Sequence, residues 1–218
     1  MNHVLTGVGA ALVGYILGSL PIGYVLVHLF KGADLRQEGS GRTGGTNAMR
    51  AAGPWVGALT GLGDLAKGAG AIWIVRALVK DQAVLPWAEA LGGAAAVFGH
   101  NWSVFLGWKG GAGTGPNLGV AIALWPVFGL ALVPAGVGVW LGTGYASVTS
   151  LTIAAAIPLG LLIRAALGAG SWVHPVYGVL TAIAVAIALL PNIRRLMMGT
   201  ERMVGPRAKA RRRSEQPQ

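Results

Sequence analysis

Long apolar runs, separated by short polar or Gly/Pro-rich clusters, dominate the chain. A transmembrane helix needs roughly 20 mainly apolar residues, and the first run, residues 4–30, has that length. No Lys or Arg precedes it and no small-residue cleavage site leads from it into a polar domain, so we interpret it as a retained span and not as a signal peptide. The pattern predicts further spans at residues 65–79 (continuing a face that begins at Trp55), 83–98, 149–166 and 173–190.

Residues 111–163 contain no charged residue and are too many for one span. Pro116, Pro126 and Pro134 supply break points, so two helices fit between residues 117 and 143. We therefore predict an all-α integral membrane protein with about seven transmembrane helices, some of them short or broken. Residues 1–196 would form one transmembrane domain, and residues 197–218 a basic cytoplasmic tail that is disordered.

The composition agrees with a protein that lies in a bilayer. Of the 218 residues, 54% are hydrophobic and 11% are charged, whereas typical globular chains carry about 25% charged residues. The absence of cysteine excludes disulfides, thiolate zinc sites and a thiol nucleophile. The few acidic residues stand mostly beside basic ones, so we expect neither a metal site nor another cofactor.

The distribution of charge predicts the topology. The net charge is +10, and residues 194–218 hold eight Lys or Arg against two Glu. Such a basic tail after the last apolar run predicts a cytoplasmic C-terminus and, with an odd number of spans, an N-terminus outside. The Gly-rich loops 31–50, 99–116 and 142–148 would then face the cytoplasm, although the hairpin around Arg76, Lys80 and Asp81 would lie outside despite its two positive charges. A nucleic-acid-binding arm is the alternative for the tail, but attraction to anionic lipid explains it and we expect no nucleic-acid partner.

The first polar cluster, residues 34–50, has the composition of an anion-binding loop. Four glycines between residues 39 and 45 argue against a helix there. Successive backbone N–H groups of such a loop can converge on an anion, and the hydroxyls of Ser40, Thr43 and Thr46 are further donors. Arg50 matches phosphate with two parallel hydrogen bonds. The alternative is a flexible connector.

Two more clusters follow. Asp64 and Lys67 share one helical face, either as a structural ion pair or to orient a substrate-contacting loop. Residues 99–115 form a second Gly-rich loop with Lys109, but not in the order of a nucleotide-binding Walker loop. His100 is either a general base or a structural residue, and because no acid stands between it and Phe105 we expect no catalytic His–Asp pair. Two basic Gly-rich loops suggest two phosphates.

Taken together, these clusters resemble the bacterial membrane acyltransferases that use acyl phosphate to acylate glycerol 3-phosphate. The resemblance covers nearly the whole chain and rests on segments 18–23, 34–50, 64–68, 99–101, 109–111, 144–147 and 192–201. It implies a seven-helix enzyme of the bacterial inner membrane. Such an enzyme transfers a fatty acyl group from acyl phosphate to the 1-hydroxyl of glycerol 3-phosphate, giving lysophosphatidate and phosphate in the first step of phospholipid synthesis. A soluble enzyme that produces acyl phosphate is an implied partner.

The same resemblance implies the site residues. The positions that would bind the substrate phosphates are Ser40, Gly41, Thr46, Asn47, Arg50, Lys109, Gly110, Gly111, Ser147 and Asn192. Catalysis would depend on His100, Ser40, Arg50 and Lys109. Since an acyl phosphate carries a good leaving group, no nucleophilic residue is required, and we expect direct attack by the glycerol hydroxyl. Its proton would pass to a substrate phosphate oxygen or to His100.

Departures from the family pattern leave alternatives open. Arg42 stands where the family usually has Asn, Ala112 where it has a second Lys, and Leu189 where it tends to have His, and Gly115–Pro116 replaces Ala-Thr. Arg42 is a candidate to substitute for the missing lysine. The chain could also be a divergent paralogue that acts on another phosphorylated acceptor, or an inactive paralogue. A third alternative is a small-anion transporter, because broken helices can surround an anion site.

Overall fold

The computed structural model describes residues 3–208, and within this range every regular element is helical. This confirms the prediction of an all-α protein. Residues 209–218 of the predicted disordered tail lie outside the described residues. The helices are α1 (His3–Ser19), α2 (Ile22–Lys31), α3 (Gly45–Ala52), α4 (Pro54–Leu78), α5 (Leu85–Asn101), α6 (Thr114–Leu124), α7 (Pro126–Thr143), α8 (Ala146–Ala166), α9 (Val173–Ala188) and α10 (Leu190–Met197), with short 3-10 helices at Leu35–Gln37 and Val104–Leu106.

Some of these helices are long and apolar enough to cross a bilayer. Within the described residues, His3–Lys31, Pro126–Thr143 and Ala146–Ala166 meet this criterion. A fourth span results if α9 and α10, which are bent by 63°, count as one. The number seven stays a prediction. Large apolar side chains such as Val4, Leu12 and Val127 are exposed, as expected for surfaces that face lipid.

Three of the predicted segments differ from the observed helices. Residues 4–30 are divided at Leu20–Pro21, where the chain leaves α1 and starts α2. The run 173–190 ends at Ala188 and turns into α10. The predicted span 65–79 is the second part of a longer helix, α4, which begins at Pro54, next to the predicted start of its apolar face at Trp55.

As expected, the Gly-rich residues 39–44 are not helical, but α3 begins at Gly45, inside the predicted loop 31–50. Tertiary contact outweighs the low helix propensity of glycine there. Ala48 of α3 is fully buried in a cluster with Val27, Leu35 and Val56. Gly45 also lies against the backbone of Gly57 in α4, so its missing side chain allows the two helices to approach.

A close helix contact joins α1 to α5 through small residues. Gly14 and Gly18 of α1 lie against the backbone of Gly92 and Ala96 of α5, where any Cβ would overlap a carbonyl oxygen. Small residues at such contacts allow van der Waals packing of backbones within a bilayer. The pairing order shows that the two helices run parallel, so α1 and α5 both end beside the polar loops.

A buried ion cluster joins the helices at the opposite end, which we call the far end. Glu89 of α5 lies 2.5 Å from Arg76 of α4 and 2.9 Å from His174 of α9. Arg76 also donates to Ala123 O at the end of α6, at 2.8 Å. The cluster therefore ties four helices together and neutralises one of the two positive charges that the predicted topology places outside.

Candidate active site

The first polar loop begins with a fixed turn on the protein surface. Asp34 accepts a hydrogen bond from Arg36 N at 2.9 Å, and its carboxylate pairs with the Arg36 guanidinium at 2.7 Å. These bonds to Arg36 lower the pKa of Asp34 below its ordinary value. The Arg36 guanidinium also lies over the ring of Tyr24, 5.3 Å from its centroid.

The buried side chain of Asn47 holds the remainder of this loop. Its Nδ2 donates to the carbonyl oxygens of Glu38 and Arg42, both at 2.9 Å, and its Oδ1 accepts from Ser40 N at 3.0 Å. Gly39, at φ +52°, fits against the same Oδ1, where a side chain would collide. The amide of Asn47 thus uses its N–H groups within the loop and positions Ser40, and its phosphate-binding role stays a prediction.

The second Gly-rich loop lies directly against the first. Thr43 N donates to Gly110 O at 3.4 Å, and Gly111 N donates to His100 O at 2.9 Å. Lys109 is exposed, and it stands beside this junction. The two loops that the sequence singled out therefore meet at one end of the helix bundle.

A cavity of about 640 Å³ opens beside these loops. One part of its wall is polar, and the other part is apolar and formed mainly by α6, α7 and α8. The polar part includes Ser40, Arg42, Arg50, Thr114, Ser147 and Asn192, and the apolar part includes Leu118, Val133, Gly136, Val137, Trp140 and Ile153. A smaller pocket of about 190 Å³ shares Ser40, Arg50 and Asn192 with it. The site thus has the shape and polarity to hold an amphiphile with an anionic head.

Several buried polar atoms in the cavity wall have no hydrogen-bond partner. They are Arg42 Nη1, Thr114 Oγ1, Ser147 Oγ and Asn192 Oδ1. Burying such an atom without a partner costs free energy. A bound anion can accept hydrogen bonds from the guanidinium and the two hydroxyls, so these groups are arranged for an anionic ligand.

The charge of the wall also favours an anion. Two carboxylates line the cavity, Asp64 and Glu201, and each is already paired, with Lys67 at 3.0 Å and with Arg195 at 2.9 Å. Among residues 3–208, no carboxylate lies within ion-pair distance of Arg42 or Arg50. Burial lowers the pKa of Arg42 and of Arg50 from the ordinary value of arginine, yet both groups stay charged at neutral pH. The cavity therefore keeps two unpaired positive charges.

A buried cluster of Asp64, Lys67 and His100 lies at the edge of the cavity. Asp64 Oδ1 is 3.4 Å from His100 Nδ1, so His100 does have an acidic partner, and the expectation that no such pair is catalytic stays a prediction. The pair is not visible in the sequence because Asp64 comes from α4 and His100 from the end of α5. His100 is 4% exposed, and its Nε2 packs against Gly111. The imidazole is therefore enclosed on both nitrogen-bearing sides.

The chain after α10 folds back over the polar part of the cavity. Glu201 accepts hydrogen bonds from Asn192 Nδ2 at 2.5 Å and from Arg195 Nε at 2.9 Å. Val204 N donates to Gly144 O at 2.8 Å, at the turn between α7 and α8. Part of the segment predicted as a disordered tail, residues 199–208, is therefore packed against the site.

The structure brings most of the predicted site residues to this cavity. Its wall includes Ser40, Thr46, Asn47, Arg50, His100, Ser147 and Asn192, and does not include Gly41, Lys109, Gly110 or Gly111. The predicted set omitted the donors Arg42 and Thr114. The sequence offers a signal for Arg42, because this residue departs from the family pattern. It offers no comparable signal for Thr114.

Comparison with known proteins identifies the family. The model of the family "Glycerol-3-phosphate acyltransferase" matches residues 8–199. The chain belongs to the glycerol-3-phosphate acyltransferase family. This confirms the resemblance found in the sequence.

Other members of the glycerol-3-phosphate acyltransferase family are similar to this chain along most of their length. The protein of Desulforudis audaxviator is 40% identical over 86% of this chain and 90% of its own. The protein of Rubrobacter xylanophilus is 39% identical over 90% of this chain and 94% of its own.

Solved structures agree with the fold. The crystal structure of PlsY (YgiH), an integral membrane glycerol 3-phosphate acyltransferase, in its glycerol 3-phosphate form, is 32% identical with a TM-score of 0.78. It covers 91% of this chain and 96% of its own. The lysophosphatidic acid form is 30% identical with a TM-score of 0.77, over 91% of this chain and 95% of its own. This chain is therefore an integral membrane protein.

Proposed function

We propose that the protein transfers a fatty acyl group from acyl phosphate to the 1-hydroxyl of glycerol 3-phosphate and releases lysophosphatidate and phosphate. This would be the first step of phospholipid synthesis. The observation that carries the proposal is a single cavity with unpartnered cationic and hydroxyl donors on one side and an apolar wall on the other. Relatives with structures in glycerol 3-phosphate and lysophosphatidic acid forms support it.

The two substrates divide the cavity according to their polarity. The fatty chain of the donor lies along the apolar wall that includes Val137 and Ile153, and the two phosphate groups lie among the polar side chains. Arg50, Ser40 and Ser147 contact the phosphates and reduce their mutual repulsion. Lys109, on the surface beside the first loop, adds positive charge without lining the cavity. Holding the hydroxyl against the acyl carbonyl in this way supplies most of the rate increase.

The reaction needs no covalent intermediate with the protein. The 1-hydroxyl oxygen attacks the carbonyl carbon, the bond from this carbon to the phosphate oxygen breaks, and phosphate leaves with the electron pair. The hydroxyl proton passes to a substrate phosphate oxygen or to His100. The enclosure of His100 between Asp64 and Gly111 favours the phosphate oxygen, with His100 and Asp64 keeping the second loop in place.

We place the protein in the bacterial inner membrane with the N-terminus outside and the site at the cytoplasmic end. Unpaired arginines and the basic tail support this orientation through the positive-inside rule. Glycerol 3-phosphate would enter the site through its cytoplasmic opening. Acyl phosphate would enter there too, supplied by a soluble partner enzyme.

The test uses purified protein in detergent micelles with palmitoyl phosphate and labelled glycerol 3-phosphate. The wild type should form lysophosphatidate, and Ser40→Ala and Arg50→Ala should each lower kcat/KM by about tenfold or more, since each removes a contact to a charged group. Arg36→Ala is the matched control, because Arg36 pairs with Asp34 and does not line the cavity.

Two other outcomes separate the alternatives. Uptake of labelled glycerol 3-phosphate into liposomes without any product would identify a transporter. An inactive wild type that gains activity through Ala112→Lys and Leu189→His would identify an inactive paralogue. For the proton acceptor, a nearly unchanged kcat in His100→Gln favours the substrate phosphate.

A further inference from the structure

We infer that Arg42 and Thr114 form a phosphate-binding subsite in the polar part of the cavity, distinct from the contacts expected of Ser40 and Arg50. The inference rests on the proposed function. It concerns Arg42, which the sequence offered as a substitute for the missing lysine, and Thr114, which it did not single out. Both line the cavity, and both have a buried donor atom without a partner among the described residues. The ligand is a phosphate group, either that of glycerol 3-phosphate or that of the acyl donor.

The structure fixes one nitrogen of the Arg42 head by a hydrogen bond and leaves a second, buried nitrogen without a partner among the described residues. Its Nη2 donates to Ala188 O at the C-terminal end of α9. Carbonyl oxygens at a helix C-terminus lack partners within the helix and carry partial negative charge, so they hold a guanidinium well. Nη1 of the same planar group has no partner. An anchored guanidinium with one free nitrogen is oriented for a ligand at little entropic cost.

Within residues 3–208, no carboxylate lies within ion-pair distance of this guanidinium. Glu201 lines the same cavity, but its two oxygens already accept hydrogen bonds from Asn192 and Arg195. Asp64, the other carboxylate in the wall, pairs with Lys67. An anion that enters the cavity is therefore the partner that Arg42 lacks.

The residues near Arg42 in the cavity wall indicate what its guanidinium contributes. Ala112, on the second Gly-rich loop, contributes only a methyl group to the wall. It packs against the apolar cluster to which Leu189 belongs, and Leu189 directly follows the residue that anchors Arg42. The guanidinium thus supplies positive charge to a part of the wall where Ala112 and Leu189 have none. Thr114, two residues after Ala112, adds a hydroxyl donor.

The first measurement is phosphate binding without turnover. Inorganic phosphate should raise the Tm of the wild type, and Arg42→Gln should weaken its apparent affinity by about tenfold or more. Thr114→Val, which keeps the shape of the side chain, should weaken it by a few fold. Arg36→Ala, the surface control, should bind phosphate as the wild type does. An unchanged phosphate affinity in Arg42→Gln and Thr114→Val overturns the inference.

The second measurement separates a binding role from a purely structural one. Arg42→Gln should raise the KM of one substrate, and thereby identify which phosphate the subsite holds. Arg42→Lys, or Ala112→Lys added to Arg42→Gln, should restore part of kcat/KM because each returns a positive charge to the wall. If Arg42 merely caps α9, the variants lower Tm, and neither KM nor inhibition by phosphate changes.

The two proposals fail in different ways. If the wild type forms no lysophosphatidate but phosphate still raises its Tm through Arg42, the acyltransferase activity fails and the subsite stands. If the wild type is active and Arg42→Gln matches it in KM and in phosphate affinity, the subsite fails and the activity stands.

Discussion

The replacement Asp64→Asn tests the buried charge cluster that joins α4 to the end of α5. Asp64 is 3% exposed and Lys67 is 6% exposed, with 3.0 Å between their charged atoms. Asparagine keeps nearly the same volume but removes the negative charge, so the Lys67 ammonium stays buried without a counter-ion. Removing one partner of a buried ion pair costs about 3–5 kcal/mol.

This magnitude converts into a measurable shift of the unfolding temperature. For a chain of this size, 1 kcal/mol corresponds to about 2–4 °C, so we expect the Tm of Asp64→Asn in detergent to fall by about 6–20 °C. Asp34→Asn is the matched control, because it breaks an ion pair with Arg36 on the surface. Surface ion pairs contribute little, so its Tm should stay close to that of the wild type.

A double variant refines the test. Adding Lys67→Met to Asp64→Asn removes the unpaired ammonium and should recover part of the lost stability. Recovery should be incomplete, because Lys67 Nζ also donates to Leu20 O at 2.9 Å, where the chain breaks before Pro21. A Tm of Asp64→Asn equal to that of the wild type, or a double variant less stable than the single one, would refute the reasoning.

Three further predictions concern other parts of the bundle. Glu89→Gln at the far end should destabilise the protein by about 2 kcal/mol, because it weakens charge-assisted hydrogen bonds, while KM for both substrates stays unchanged; a large change in KM would contradict a purely structural cluster. Gly14→Ala should lower Tm, because overpacking against α5 costs about 1–3 kcal/mol. Gly9→Ala is the control and should leave Tm unchanged, because the space around its Cβ is open. Equal Tm values for the two variants would argue against the close contact. Gly136→Val should lower kcat/KM for palmitoyl phosphate more than for octanoyl phosphate, because the new side chain meets Ile153 in the apolar wall; an unchanged ratio would place the fatty chain elsewhere.

Local patterns in the sequence predicted the helical membrane fold and most of the site. Apolar runs near spanning length predicted α8 and the two helices on either side of the break at Pro126, α6 and α7, because the bilayer sets helix length and proline sets the breaks. Glycines, hydroxyls and arginines within a few residues predicted the first loop, and Ser40 and Arg50 line the cavity. Such features depend on neighbours along the chain, and a sequence shows them directly.

The same dependence on neighbours along the chain explains where the expectations from the sequence differ from the structure. A search for an acid near His100 in the sequence missed Asp64, because the two residues meet only when α4 packs beside α5. Loop 31–50 was predicted as a whole, but its last part is helical as α3, because the burial of Ala48 among α2 and α4 stabilises it. Lys109 stands in a motif with the right composition, yet it is exposed and does not line the cavity, so its role in phosphate binding stays a prediction.

Sequence alone determined that this chain is an all-α membrane protein of an acyltransferase family with two Gly-rich basic loops. Only the tertiary structure decided that these loops meet, that Asp64 and Glu201 are neutralised by their own partners, and that Arg42 and Arg50 keep their charge unpaired. The physical reason is that helix formation and membrane insertion follow from local composition, whereas the charge balance of a cavity depends on distances between residues far apart in the chain.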